Sequence, residues 1–196
     1  VAYVGDGVCA VLAVNDSVAH DALDLIDVEY EVLPAVIDLE KSLSDDIVIH
    51  DELGTNKSYT WPLVIEDNEG DCQKAMDESA YVVKERYIQQ RLIPMAMEPR
   101  AVVALPQPFG GDMTLYSSTQ VPHILKVMTA LTLGIPAHPL RVACPAVGGG
   151  FRSKRNVYAH ELLCVQLAPP LKVPVRSNVA RPSNPQSTLH CRSPVH

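Results

Sequence analysis

Residues 113–154 decide the fold: MTLYSSTQVPHILKVMTALTLGIPAHPLRVACPAVGGGFRSK. The spacing of apolar residues changes three times along this stretch. Apolar and β-branched residues bounded by Gly, Pro or Asp predict strands over 112–118 and 140–145. Between them, residues 122–133 carry apolar side chains at helical spacing, and Gly134 follows as a typical helix C-cap. This order of strand, helix, strand and glycine loop predicts a mixed α+β layer, with strand-to-helix turns where ligands bind.

The flanking residues extend the same pattern in both directions. A further helix is predicted around residues 154–168. Upstream, AVVAL (101–105) and YVVKERYIQQ (81–90) have the composition of strands, and residues 71–79 predict one short helix. The second half of the chain therefore reads as one α+β layer.

The first 33 residues predict a small strand–helix–strand unit. VCAVLAV (8–14) is a short apolar run typical of a buried strand, and Asn15-Asp16-Ser17 supply capping residues for a helix over 17–26. Val28, Tyr30 and Val32 alternate with acidic residues, which indicates a half-solvated strand. Residues 38–78 are acidic and weakly patterned, which is typical of a solvated connector.

The charge is divided unevenly along the 196 residues, although the net charge is only −7. Residues 1–98 hold 21 acidic and 6 basic side chains, whereas residues 99–196 hold 2 acidic and 10 basic ones. An acidic first half argues against nucleic-acid binding there, because phosphates would be repelled. The basic second half is compatible with an anionic ligand, so two segments with different partners are expected.

Several sequence features are missing, and this narrows the classes of protein to consider. No apolar run approaches the roughly 20 residues of a membrane-spanning helix, and the N-terminus lacks the basic region of a signal peptide. The five cysteines are scattered, with no spacing typical of zinc or an iron–sulfur cluster. A reducing, cytoplasmic setting is the plain interpretation. Because the chain starts in mid-pattern without Met, we expect it to be a fragment.

Three consecutive glycines, Gly148 to Gly150, lie between the predicted strand and helix and allow the backbone to approach a ligand closely. Arg152, Lys154 and Arg155 add positive charge, and a helix N-terminus favours anions. The pattern fits neither a Walker A loop nor GxGxxG. Two interpretations remain open at this point: an anion-cradling loop, or a glycine-rich turn with surface cations.

Two other segments carry candidate chemistry. In Ser117-Ser118-Thr119-Gln120, the side chains cap the following helix, or Gln120 directs its amide at a bound oxo or phosphate group; the spacing favours capping. In the turn MAMEPR (95–100), Glu98 and Arg100 pair with each other, or one of them orients a ligand.

At these motifs the sequence resembles the large, molybdenum-cofactor-binding subunit of the molybdenum hydroxylases. Among these it is most similar to the carbon monoxide dehydrogenase/aldehyde oxidase branch of the family that also contains xanthine dehydrogenase. The stretches that carry the resemblance run from residue 1 to about 168: YVGDGVCAVLA (3–13), DVEYEVLPAVID (27–38), HDELGTN (50–56), ERYIQQRLIPMAMEPRAVVA (85–104), LYSSTQVPHILKVMTALTLGIP (115–136) and LRVACPAVGGGFRSK (140–154).

The resemblance implies a division into domains. Residues 1–37 would be the closing part of an α/β hammerhead domain, and residues 38–79 an acidic connector. Residues 80–196 would be part of a molybdenum-cofactor-binding domain, with a poor match after residue 168.

The resemblance also implies a site and an activity. Gln120 matches the glutamine that hydrogen-bonds an oxo ligand of molybdenum, and Gly149, Gly150 and Phe151 match the loop around the metal and the pterin, with no protein ligand directly on the metal. Family members hydroxylate carbon with water as the oxygen source. Their electrons leave through iron–sulfur and FAD centres on partner subunits, in a dimer of heterotrimers, so this chain would carry neither centre.

The chain departs from the family pattern at three places. Arg152 stands where the family has the last glycine of GGGFG, and Met95 replaces the usual polar residue before AMEP. After residue 168, Ser177 and Val179 replace an expected Trp and Glu. Four prolines are expected to break the helix and strand there: Pro169, Pro170, Pro182 and Pro185.

No residue of this chain matches the family's late catalytic glutamate, so we expect no activity from the chain alone. The alternative to an enzyme fragment is a divergent, non-catalytic remnant that no longer binds the cofactor. The substrate class is left open between CO, an aldehyde, a purine and an N-heterocycle.

Overall fold

Four short strands form one mixed sheet in the computed structural model of the chain, which describes residues 1–61, 70–90, 92–107 and 111–188. The strands are β1 (Ala101–Pro106), β2 (Met113–Ser117), β3 (Leu140–Ala143) and β4 (Val175–Asn178), in the spatial order β3-β2-β1-β4. β1 is antiparallel to both of its neighbours, with Val102 opposite Ser117 on one side and Ser177 on the other. β2 and β3 are parallel, with Leu115 opposite Val142.

The described residues also contain six helices. They are α1 (Asp16–Leu23), α2 (Leu39–Ser42), α3 (Asp71–Asp77), α4 (Pro122–Leu133), α5 (Ala159–Leu171) and α6 (Ser183–Gln186). α4 forms the crossover between the parallel strands β2 and β3, as such a pair requires. The mixed α and β layer predicted for the second half is therefore confirmed.

The core lies where α4 and α5 pack on the sheet. Its largest members, each at most 1% exposed, are Val102, Leu115, Leu125, Leu140 and Val165. α4 has the bounds that its apolar spacing predicts, and Gly134 ends it in the left-handed conformation, with φ of 65°.

α5 differs from its prediction at both ends. It begins at Ala159, five residues later than expected, and it continues through Pro169 and Pro170 to Leu171. Each of the two prolines lacks an N–H for the helix, and α5 ends directly after them, with Lys172 as a left-handed C-cap. The expected disruption at Pro182 and Pro185 is also wrong, since β4 forms before them and α6 contains Pro185.

Contacts divide the chain into two compact units, one with residues 3–9 and the described residues from 92 onward, the other with the described residues between 10 and 90. In the second unit, α1, α2 and α3 have no buried residue. α1 begins after Asn15, whose side chain accepts a hydrogen bond from the backbone N–H of Val18, as its capping sequence predicts.

Three predicted strands are wrong. Residues 8–14 and 28–32 have no strand structure, and residues 81–90 contain only an isolated bridge at Ile88. Most of their apolar side chains are exposed, and Val14 keeps 92% of its accessible surface. A strand is stabilised by a partner strand, and within the described residues no sheet pairing involves these segments.

The acidic connector contains one ordered turn that its weak pattern did not indicate. Asn56 donates side-chain hydrogen bonds to the carbonyls of Ser42 and Ile47, and its amide oxygen accepts from the N–H of Ile49. Asp45 accepts from Asn56 N–H and from the Thr55 hydroxyl, which lower the pKa of its carboxyl. The acidic residues 66, 67 and 69 of the connector, and residues 189–196, lie outside the described residues.

Candidate functional site

Three segments meet at the candidate site: the turn at Glu98, the end of β2 at Thr119-Gln120, and the glycine loop over 148–154. The carboxylate of Glu98 accepts from the backbone N–H of Gly148 at 2.8 Å, and the Glu98 N–H donates to the Gly148 carbonyl at 3.2 Å. At the other end of the loop, the Lys154 carbonyl accepts from the N–H of Gln120 at 2.9 Å and from the Thr119 hydroxyl at 3.1 Å. The structure thus brings together motifs that are about 20 to 50 residues apart in sequence.

The loop is built on left-handed backbone conformations. Gly149 has φ of +95°, and the two residues after Gly150 are also left-handed, with φ of +46° at Phe151 and +67° at Arg152. For residues with a Cβ atom, this region is disfavoured by roughly 1–2 kcal/mol each. The glycine that the family has in place of Arg152 would adopt this conformation freely, and here the arginine adopts it too.

Gln120 lies directly against Gly150. A Cβ atom at Gly150 would approach Nε2 of Gln120 to 2.5 Å, closer than any real contact, so only glycine allows the amide to sit there. The Gln120 side chain is exposed, and within the described part of the chain its amide has no hydrogen-bond partner.

The prediction that Gln120 and its neighbours cap α4 is wrong. The N-cap residue is Val121, and no side chain among the described residues caps the helix. The Thr119 hydroxyl accepts from the Val121 N–H, while Cys144 Sγ donates to the Thr119 carbonyl at 2.8 Å. Thr119 therefore fixes the turn, and the amide of Gln120 is left available for a ligand.

The loop also presents backbone donors. Among the described residues, the N–H groups of Gly150, Phe151 and Arg152 have no hydrogen-bond acceptor, whereas those of Gly148, Gly149 and Ser153 do. Phe151 and Arg152 have exposed side chains, and the Arg152 guanidinium has no partner in the same part of the chain. Consecutive free N–H groups, an amide and a guanidinium are the donor set that anionic and oxo-bearing groups require.

Lys154 does not contribute free positive charge to the loop, contrary to prediction. It is 2% exposed, and its ammonium donates to the Glu98 carboxylate at 2.6 Å. The Lys154 hydrogen bond, followed by that from Gly148, holds the pKa of Glu98 below its usual value of 4.5, against an opposing effect of burial. The cations left exposed at this loop are Arg152 and Arg155.

Of the two interpretations of the MAMEPR turn, the pairing of Glu98 with Arg100 is wrong, because the two side chains have different partners. Arg100 is buried, with its guanidinium 3.7 Å from the centre of the Tyr158 ring. It donates to the hydroxyls of Ser187 at 2.6 Å and Thr188 at 2.5 Å. Arg100 thus ties β1 to the segment after α6.

Tyr158 and Glu161 are structural residues that sequence reasoning missed. The Tyr158 hydroxyl donates to the Ser153 carbonyl at 2.5 Å, which anchors the end of the glycine loop. Glu161 is buried and accepts from the Ser117 hydroxyl at 2.6 Å and from the Tyr158 N–H at 3.0 Å. The spacing of Tyr158 and Glu161 is that of a capping box, although tyrosine is an unusual first member, so the pattern gave little signal.

The N-terminus of α5 does not serve the glycine loop as expected. Residues 155–158 separate the loop from the helix. The carboxylate of Glu161 accepts from the N–H of the N-cap residue Tyr158, so one of the donors at this helix end is already used. Burial raises the pKa of Glu161 and lowers that of the neighbouring His160 to about 4. An anion at the loop would therefore be bound by the loop's own N–H groups.

Within the described ranges, no group of three or more His, Cys, Asp or Glu side chains is arranged to hold a metal ion. Nor does any described helix have the length and apolar character needed to cross a membrane.

Fold and site together define an α+β domain with a loop lined by hydrogen-bond donors. The family described as "Molybdopterin cofactor-binding domain" matches residues 49–195, well over half of the chain. The chain belongs to this family.

Characterised relatives support the same assignment. The chain is 32% identical to the 6-hydroxypseudooxynicotine dehydrogenase complex subunit gamma of Paenarthrobacter nicotinovorans, over 100% of this chain and 24% of that protein. It is 30% identical to the carbon monoxide dehydrogenase large chain of Afipia carboxidovorans, over 94% of this chain and 24% of that protein. The chain thus spans about a quarter of the length of these relatives.

A solved structure shares the fold. Quinoline 2-oxidoreductase from Pseudomonas putida 86 superposes with a TM-score of 0.74 at 30% identity, covering 92% of this chain and 22% of that one.

Proposed function

We propose that this chain is the part of a molybdenum hydroxylase large subunit that contributes the Gln120 and glycine-loop side of the cofactor site. The observation that carries the proposal is the packing of the Gln120 amide on Gly150, beside three consecutive N–H groups that have no acceptor among the described residues. A molybdenum–molybdopterin cofactor offers oxo and phosphate oxygens, which accept hydrogen bonds from these donors. The residues present therefore fit the group.

We propose a role for each of these residues. Gln120 donates from its amide to an oxo group, and Gly149 and Gly150 supply the turn and the space for it. Phe151 presents its exposed ring and backbone N–H at the rim of the loop. Arg152 adds a guanidinium that has no partner within the described residues, and it fits a phosphate or oxo oxygen.

We also propose the wider assignment. Residues 1–37 would close a hammerhead domain, 38–79 connect it, and 80–196 form part of the cofactor domain. In the assembled enzyme, the cofactor supplies the redox chemistry that hydroxylates a small carbon substrate with water, and subunits with iron–sulfur and FAD centres accept the electrons. The names of the relatives, a dehydrogenase complex subunit and a large chain, are consistent with such partners.

The test is the molybdenum and pterin content of the chain purified from a host that makes the cofactor. We expect molybdenum in the native chain, a loss of most of it in Gln120→Ala, and no loss in Gln107→Ala. Gln107 is the matched control because it follows β1, in none of the three segments that form the site. Equal metal content in both variants would remove Gln120 from the site.

Arg152 decides between the enzyme fragment and the non-catalytic remnant. If the guanidinium blocks the cofactor, Arg152→Gly gains molybdenum that the native chain lacks, and the remnant interpretation holds. If the native chain is already loaded, the remnant interpretation is wrong. Absence of metal from both forms would contradict the expectation that the purified chain retains the cofactor.

A further inference from the structure

The glycine loop and Gln120 belong to one closed set of hydrogen bonds, and Lys154 is the residue common to both. Its ammonium reaches Glu98, whose carboxylate also holds the start of the loop at Gly148. Its carbonyl holds the N–H of Gln120 and the hydroxyl of Thr119. The connection therefore runs from Gly148 through Glu98 and Lys154 to Gln120.

We infer that Lys154 is a positioning residue, which through Glu98 sets where the donors of the glycine loop lie relative to the Gln120 amide. The inference rests on the proposed function, since it concerns the same site. The two left-handed residues Phe151 and Arg152 are disfavoured by their own backbones, so the loop keeps its shape only where its surroundings hold both ends. Glu98 holds one end and Lys154 holds the other.

Because Lys154 is buried, loss of the Glu98 carboxylate and loss of the Lys154 ammonium are expected to have different effects. The ammonium is at the buried end of a side chain that is 1% exposed, and Glu98 is its acceptor among the described residues. Removing the carboxylate leaves a buried charge without a counterion, whereas removing the ammonium leaves a carboxylate that is partly exposed. The loop is therefore expected to respond more strongly to a change at Glu98 with Lys154 present than to the loss of both groups together.

The test is amide hydrogen exchange of the whole 196-residue chain, without cofactor, in native protein, Lys154→Met and Glu98→Gln. Lys154→Met keeps the backbone carbonyl that binds the Gln120 N–H, so a purely local effect would leave exchange at Gln120 unchanged. We expect the protection factors of Gly148 and Gln120 to fall together, by roughly tenfold or more. The control is Lys126→Met, a half-buried lysine on α4 with no acceptor within the described residues. A change at Gly148 alone, or an equal change in the control, would overturn the inference.

A second readout covers the case in which Lys154→Met does not fold. The ionised carboxylate of Glu98 stabilises the loop. In the native chain, the protection of the Gly148 and Gln120 amides from exchange should therefore be lost as the pH falls below the ordinary carboxyl range. In Glu98→Gln, which retains an amide oxygen for the Gly148 N–H, we expect lower protection that does not change over the same pH range. Parallel pH profiles in the two proteins would overturn the inference.

Either the exchange test or the cofactor test can give a negative result without the other doing so. Exchange is measured without cofactor, so a native chain that binds no molybdenum but loses protection at Gln120 in Lys154→Met supports the inference while contradicting the proposed function. Conversely, a loaded native chain whose Lys154→Met variant shows unchanged protection supports the function and overturns the positioning role.

Discussion

Arg152 is the residue at which the chain departs most clearly from its family, and its backbone shows what the departure entails. With φ of +67°, it keeps a conformation that a glycine adopts freely. Within the described residues its side chain has no partner that would offset the unfavourable conformation. We therefore expect Arg152→Gly to raise the free energy of unfolding by about 1 kcal/mol.

Urea denaturation of native protein and Arg152→Gly measures this difference directly. Arg155→Gly is the matched control, because Arg155 is also exposed but does not have a positive φ. There the glycine should be neutral or destabilising, since it only increases the freedom of the unfolded chain. A destabilised Arg152→Gly would mean that the guanidinium makes a stabilising contact in solution.

At the scale of single elements, α5 depends on a buried carboxylate at its first turn. Burial raises the pKa of Glu161 although the bonds from Ser117 and Tyr158 lower it, so the folded chain holds this proton more tightly than the unfolded chain does. The stability that the protonated Glu161 carboxyl contributes is fully present below the ordinary pKa of 4.5. It is lost as the pH rises through the raised value. Glu161→Gln keeps the capping box without the charge, so we expect its melting temperature relative to native protein to increase between about pH 4 and pH 7.

Thermal melts of the two proteins across this pH range check the expectation. Glu40→Gln, a substitution of an exposed glutamate paired with Arg86, serves as the control. If the difference between native and Glu161→Gln stays constant with pH, the carboxyl titrates alike in the folded and unfolded chains.

The elements also show which features of the fold could be predicted. α4 carries its own signals, namely apolar spacing, proline at its start and Gly134 at its end, so its bounds could be read from the sequence. The segments 8–14, 28–32 and 81–90 have the composition of strands but no partner among the described residues, and composition alone does not supply one.

The candidate site also combines features that could be predicted from the sequence with features that could not. Glycines and a polar strand end indicated where a ligand could bind, because those residue types are informative locally. The pairing of Glu98 with Lys154 joins residues 56 positions apart, and nothing in either local pattern indicates it. Arg100 was equally unpredictable, since its contacts with Tyr158 and the segment after α6 depend on the tertiary fold.

At the scale of the whole molecule, the chain exposes apolar surface on an otherwise well-packed element. α4 buries Leu125, Thr129 and Ala130 but leaves Val127 and Leu131 52% and 70% exposed. Two exposed apolar side chains one turn apart form a continuous patch on a helix. Such a patch favours association when nothing covers it.

We expect the purified chain to self-associate and to bind a hydrophobic dye. The double substitution of Val127 and Leu131 by glutamate should reduce both effects, measured by light scattering and dye fluorescence, with little change in melting temperature because the side chains are exposed. The same substitution at Leu125, which is 1% exposed, should instead unfold the unit by burying an unpaired charge. A native chain that stays monomeric and does not bind the dye would show that this face of α4 does not drive association.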